Sequence, residues 1–313
     1  MGKNFDVIET TEDKKIRVII DTDAACEADD PFAIAQALMS PKLIVKGILA
    51  EHFNVPDSTR RSYDEIMTVL KAMELEDSVP VFMGEAGPLT DTDGSNNSLS
   101  PAARFLIEEA SRPADSAIPA SQKPLYVLCQ GAITNVAAAL RAAPQIKDKL
   151  IIIWIGTHGF QYAGTQVPFR EFNAGNDVKA ANEVLQSGAQ IWLVPSYVYS
   201  TITVGLAELK LKVAPYGKIG RHLYDNLNEY NHSKGASWTQ GESWSLGDSP
   251  AIAIAINPGC GKFHTEPAPF INEDTSSSKK AGNPLIRIYD SVDSRYILED
   301  FFAKLQLNYP AAK

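Results

Sequence analysis

Six short apolar runs punctuate the first two thirds of the chain: 16–20 (IRVII), 43–50 (LIVKGILA), 79–83 (VPVFM), 124–129 (PLYVLC), 149–155 (KLIIIWI) and 190–194 (QIWLV). They are rich in Val, Ile and Leu and carry little strict alternation, as strands buried on both faces do. Between them the spacing of apolar positions turns helical, at 30–39, 57–74, 101–111, 133–142 and 177–187. Short strands alternating with helices predict an α/β fold, with a mostly parallel central sheet flanked by helices. The second half reads as more helical, at 204–212, 218–230 and 249–256, followed by a strand at 284–289 and a last helix near 296–306. Turn residues crowd 90–98 and 271–284, which are expected loops. No repeat and no linker interrupts the pattern, so one domain over 1–313 is expected.

Composition narrows the function. Of 313 residues 44% are hydrophobic and 21% charged, enough for a self-supporting core. The net charge of −9 would repel a phosphate backbone, which argues against nucleic acid as a partner. Three cysteines (Cys26, Cys129 and Cys260) form neither a CxxC motif nor an even framework, which suits a reduced compartment and no zinc site. Residues 1–15 hold no apolar segment of the signal-peptide kind, and no run approaches the ~18 apolar residues of a membrane helix. A soluble cytoplasmic protein is the expectation.

The chemistry concentrates where the first strand ends. In RVIIDTDAACEADDPFAIAQAL (17–38) five acidic residues, Asp21, Asp23, Glu27, Asp29 and Asp30, fall within ten positions. Like charges so close must hold protons or meet positive charge. A structural role accounts for part of this: Asp29 or Asp30 can cap the next helix, with Pro31 in its first turn. Capping does not account for four or five carboxylates at one strand end, which in a parallel sheet is where ligands bind. Carboxylates without His or Cys partners suit a hard cation, Ca²⁺ or Mg²⁺, and Asp23 and Asp30 are spaced to approach one ion from opposite sides of a loop. A rival reading starts from VIIDTD, which resembles the first motif of haloacid-dehalogenase-type phosphatases, with Asp21 as nucleophile. It lacks the second acidic motif, because the position four after Asp248 is Ile252.

The same stretch resembles the signature of the inosine–uridine nucleoside hydrolase family, whose usual pattern is DxDPGxDD. Here five residues rather than three separate Asp23 from Asp29, as in a divergent branch with a longer loop. Other segments resemble the family in order from 16 to 256: AEHFN with Asn54, VPVFMGEAGPL, VLCQGAITNVAAAL with Gln130, REFNAGND with Glu171 and Asn173, and LGDSPAIAI with Asp248. The resemblance implies a Ca²⁺ held by Asp23, Asp30, Asp248 and the Gln130 carbonyl. It further implies sugar contacts from Asp29, Asn173 and Asp248, with Glu171 on the 5′ side, and a homo-oligomer. Two positions depart from the family: the His before the late Asp, which helps protonate the leaving base, is Gly247, and Thr165 stands where an Asn often meets the sugar.

The expected reaction is hydrolysis of the N-glycosidic bond of a ribonucleoside, with Asp23 as general base toward a cation-held water. A site built to pair with a hydroxyl rejects a sugar lacking it, so ribose is favoured over deoxyribose. Trp238 and Trp244, just upstream of Gly247, are candidate stacking partners for the base, with core packing as the competing role. His158 and His52 end strands; His158 is the candidate acid, with a structural role as its alternative. Glu27 has no counterpart in the shorter family loop. Two further functions stay open: hydrolysis of a different ribosyl or furanosyl compound, and metal-dependent sugar binding without turnover. The glycine-containing segments carry no nucleotide-cofactor fingerprint.

Overall fold

A computed structural model describes residues 5, 8–90, 99–112 and 124–311. The expected loop at 90–98 lies outside these, save for Thr90. Strands β1 (Ile16–Thr22), β2 (Leu43–Ala50), β3 (Val81–Met83), β4 (Leu125–Cys129), β5 (Leu150–Ile155) and β6 (Gln190–Val194) fall on the six apolar runs. With the later β9 (Gly261–Pro267) and β12 (Leu285–Val292) they form one eight-stranded sheet, ordered β3-β2-β1-β4-β5-β6-β12-β9. All neighbouring pairs are parallel except the last, where β9 runs antiparallel along the edge. The sheet is therefore mostly parallel, as expected.

Helices cover both faces because successive strand residues point to opposite sides. On one face Val18 and Ile20 of β1 and Ile151 and Ile153 of β5 pack with α1 (Asp30–Leu38), α2 (Ser58–Met73), α10 (Ser249–Ile256) and α11 (Ser294–Asn308). On the other, Ile19, Ile152 and Trp154 meet α3 (Pro101–Ser111), α4 (Thr134–Ala142) and α6 (Val178–Gln186). Burial on both faces explains the near-continuous apolar strands.

Three features differ from expectation. The edge strand β9, GKFHTEP, is not legible as a strand because its outer face is exposed and polar. The expected loop at 271–284 contains half of a small ladder, in which Ile271 of β10 (Phe270–Ile271) pairs with Ser277 of β11 (Ser277–Ser278). Another short antiparallel pair joins β7 (Thr203–Gly205) to β8 (Ser243–Ser245). Among the described residues no helix is long and apolar enough to cross a membrane.

Strand order reverses between β1 and β4: the chain steps outward through β2 and β3 on one side and through β5 and β6 on the other. Connections leave this junction in opposite directions and open a crevice beyond the carboxyl ends. Asp21 and Thr22 end β1, and Gln130 follows β4.

Candidate active site

The crevice deepens into a cavity of about 580 Å³. Its floor carries Asp23, Asp29, Asp30, Gln130 and Asp248, and its walls Glu27, Glu171, Asn173 and Tyr199. Aromatic side chains ring the mouth: Phe169, Phe172 and Trp238 are each about half exposed.

Two helix starts build the floor. Asp29 occupies the N-cap position of α1 and Asp30 its first position, while Asp248 occupies the N-cap position of α10. Both helices continue with Pro and a fully apolar, alanine-containing stretch, DPFAIA and DSPAIA, and the two pack against each other so that their N-termini converge. One oxygen from each of Asp29, Asp30 and Asp248 lies within 4.8 Å of the others. Asp29 Oδ2 accepts the Gly247 N–H at 2.9 Å, and Asp30 Oδ1 accepts the Thr22 hydroxyl.

Burial without countercharge dominates the electrostatics. It pushes Asp29 up to about 6, partly offset by the Gly247 and Asp248 N–H groups. Burial and then repulsion from Asp29 push Asp30 up to about 7. Asp248 is held well above the carboxylate range by burial and by Asp30, Asp29 and Asp23. Asp23 is raised likewise, by burial and by Asp30, Glu51 and Glu27. Glu27 reaches about 8 through burial and the Asp29 and Asp30 charges. Asp23 Oδ2 and both side-chain amide atoms of Gln130 are buried with no hydrogen-bond partner among the described residues. Orphaned acceptors beside a crowd of carboxylates fit an oxygen-coordinated divalent cation, whose charge would remove the repulsion. The Gln130 carbonyl already accepts from Asn173 Nδ2 at 3.1 Å, which leaves it one lone pair.

The wall is tied to the floor. Asn173 Nδ2 also donates to the Ile155 carbonyl at 2.9 Å. Glu171 caps α5 (Phe172–Asn176), its Oε2 accepting from the Ala174 N–H at 2.8 Å, and its Oε1 accepts the Tyr199 hydroxyl at 2.9 Å.

The cavity thus brings together Asp23, Asp29, Asp30, Gln130, Glu171, Asn173, Trp238 and Asp248. Three candidates lie elsewhere. His158 is buried outside the lining, with Nδ1 2.6 Å from Ser196 Oγ and Nε2 3.0 Å from the Phe169 carbonyl, so both nitrogens are occupied. Trp244 is buried behind Trp238, ring centroids 5.1 Å apart, and does not line the cavity. Asn54 is exposed in a left-handed turn (φ 56°) away from the lining. Thr165 is also exposed, donating to the Tyr162 carbonyl at 3.2 Å. His52 is buried between the Thr134 hydroxyl (2.8 Å) and the Asn54 N–H (3.1 Å), and burial lowers it to about 4.

Asp21, the nucleophile of the phosphatase reading, does not line the cavity. It lies beneath the floor, where Asn135 Nδ2 donates to its Oδ1 at 2.9 Å and burial raises it to about 7. A nucleophile sealed from the cavity cannot reach a substrate there. Sequence reasoning missed Tyr199, Phe169 and Phe172; only their positions just beyond strand ends or beside EFN hint at them.

Comparison with known proteins identifies the family. A sequence model of the family described as inosine-uridine preferring nucleoside hydrolase matches residues 18–295. The pyrimidine-specific ribonucleoside hydrolase RihA of Salmonella schwarzengrund is 29% identical over 243 residues, covering 71% of this chain and 73% of that protein. A plant nucleoside hydrolase superposes with a TM-score of 0.74 at 22% identity, covering 93% of this chain and 98% of that one. The purine-preferring ribonucleoside hydrolase from Gardnerella vaginalis gives 0.75 at 21%, covering 93% and 99%. At those identities the structural likeness is one of fold. The matched span takes in the whole acidic floor and both walls of the cavity, and the chain belongs to the inosine–uridine preferring nucleoside hydrolase family.

Proposed function

We propose that this chain hydrolyses the N-glycosidic bond of ribonucleosides with the help of one Ca²⁺. The observation that carries the reading is the joining, in one cavity, of a buried carboxylate floor with an aromatic mouth. A pentose has hydroxyls to offer the floor, and a nucleobase has a flat face to offer the mouth. Six carboxylates line the cavity (Asp23, Glu27, Asp29, Asp30, Glu171 and Asp248). Arg170 lines the cavity too, its guanidinium donating to the Glu273 and Gly175 carbonyls, so among the described lining residues six carboxylates face a single cationic side chain.

Asp23, Asp30, Asp248 and the Gln130 carbonyl would hold the cation, which supplies a polarised water and a grip on the sugar diol. Asp23 is the general base: its Oδ2 has no hydrogen-bond partner among the described residues and faces the cavity floor, where it can take a proton from the water. The water oxygen bonds to the anomeric carbon as its proton passes to Asp23, and the C–N bond breaks with its electron pair leaving on the base. Asp29, Asn173 and Asp248 hold the hydroxyls, Glu171 faces the 5′ side, and the positive charge developing on the sugar meets the acidic floor. Trp238 stacks on the departing base.

Ribose release from a panel of purine and pyrimidine ribonucleosides tests this, with EDTA and with Ca²⁺ restored. Release that needs the cation and falls at least about a hundredfold in Asp23→Ala, with the fold intact, is the expected result. Ribose binding without release from any nucleoside would make the chain a sugar-binding protein instead.

A further inference from the structure

Gly247 has no side chain, and the space beside it is taken. A Cβ built there would lie 3.2 Å from Cδ2 of Tyr199 and 3.3 Å from Asp29 Oδ2. Tyr199 ends α7 (Ser196–Tyr199), the short turn after β6, and lines the cavity. Three ties fix it: its ring lies against Gly247, its carbonyl accepts from Ser245 Oγ at 3.3 Å, and its hydroxyl donates to Glu171 Oε1 at 2.9 Å. The phenol therefore bridges two cavity walls, the segment around 245–247 and the cap of α5.

The direction of that last bond sets what the pair can recognise. The hydroxyl proton is committed to Glu171, so the phenol oxygen offers the cavity only lone pairs. Glu171 is fully buried, with Oε2 occupied by the Ala174 N–H and Oε1 shared by the Tyr199 hydroxyl and, at 3.4 Å, the Asn173 N–H. Together they form a rigid, all-acceptor patch. Its ligand is a donor, such as a free hydroxyl; a phosphate ester has no proton for it and meets a carboxylate.

We propose that Tyr199 is the specificity-determining residue of this cavity: it fills the wall position that a side chain at 247 would take, and it fixes Glu171 so that the pair reads the free 5′-hydroxyl of the riboside. The inference rests on the riboside-hydrolase reading above. Tyr199 acts partly through Glu171, so overall activity is a poor readout, and the test compares two substrates.

Wild type and Tyr199→Phe are assayed on a ribonucleoside and its 5′-deoxy analogue. Wild type is expected to favour the 5′-hydroxyl by about tenfold or more in kcat/KM, the range of a hydrogen bond to a charged group. In Tyr199→Phe that preference falls to about twofold, through a raised KM for the 5′-hydroxy substrate, while kcat/KM on the 5′-deoxy analogue stays near wild type. Gly247→Ala, whose methyl meets the phenol and Asp29 Oδ2 together, is expected to lower kcat/KM on both substrates through Asp29 and to erode the 5′-hydroxyl preference through the phenol, and that erosion should not add to Tyr199→Phe in the double variant. It also keeps the test open should Tyr199→Phe fold poorly. A Tyr199→Phe enzyme that keeps the full preference, or loses both substrates equally, overturns the role of Tyr199 alone. A wild type that releases neither ribose from the ribonucleoside nor 5-deoxyribose from its analogue overturns the riboside reading itself.

Discussion

Replacing Asp30 by Asn should make the cation-free protein more stable while destroying its function. Asp30 is 3% exposed, and burial, followed by repulsion from Asp29, raises its carboxyl from 3.8 to about 7. Three pKa units correspond to about 4 kcal/mol. A pair of charges 4.8 Å apart, the span of the trio, repels by about 3 kcal/mol at an effective dielectric of ~20, so crowding is of the same order. Because the folded-state pKa lies above the unfolded one, the folded protein holds the extra proton. Its stabilising effect is complete below pH ~4 and is lost as pH rises through about 7. At pH 8 wild type without cation has therefore forfeited the full amount. Asn imitates the neutral carboxyl at every pH, and its amide oxygen can still accept from Thr22.

In EDTA at pH 8 the variant should gain up to about 4 kcal/mol. With an unfolding entropy of roughly 0.7 kcal/mol per kelvin for 313 residues, that raises Tm by about 6 °C. At pH 4.5, where wild type is largely protonated, the gain should shrink to about 1 kcal/mol. Millimolar Ca²⁺ should stabilise wild type at pH 8 and leave the variant nearly unmoved. Thermal melting under these conditions, with ribose release measured alongside, is a sufficient assay. A variant that melts at or below wild type in EDTA at pH 8, or whose gain is the same at pH 4.5, would refute the electrostatic account.

Two further substitutions separate positioning from packing. His158→Gln should lower Tm by a few degrees, since two buried hydrogen bonds at ~1–3 kcal/mol each are disturbed, and leave kcat within about threefold; a hundredfold fall in kcat would return His158 to the chemistry. Trp238→Ala should raise KM for ribonucleosides about five- to hundredfold, the range for one stacked base, without changing the affinity for free ribose measured by calorimetry; an unchanged KM would place the indole off the base.

What could be read from the sequence was local. Asp23, Asp29 and Asp30 lie within one strand-to-helix turn, so their crowding is visible as text, and Asp248, in Asp-Ser-Pro-Ala-Ile-Ala, echoes the Asp-Pro-Phe-Ala-Ile-Ala that begins at Asp30. The buried strands stand out because both their faces are apolar, and β9 does not because an edge strand keeps a polar face to solvent. The aromatic and phenolic wall was hidden for a different reason. Tyr199 reaches Glu171 only because strand order sets β6 next to β5, so the segments following the two strands meet across one crevice. His158 misled because position at a strand end fixes neighbourhood and not direction: its ring turns inward to Ser196 and the Phe169 carbonyl.

The placement of the carboxylates explains how the fold tolerates them. Asp29 and Asp30 start one helix and Asp248 starts another, and each helix N-terminus presents about half a positive charge. Two such ends offset roughly one of the four charges on Asp23, Asp29, Asp30 and Asp248. A divalent cation would offset two more, leaving about one negative charge on this quartet at the cavity floor, with Glu27 and Glu171 on the walls beside it. That remainder is what the chemistry needs, because a sugar losing its base gains positive charge at the anomeric carbon. Full neutralisation, by a third helix end or a lysine, would give a more stable protein and a worse catalyst.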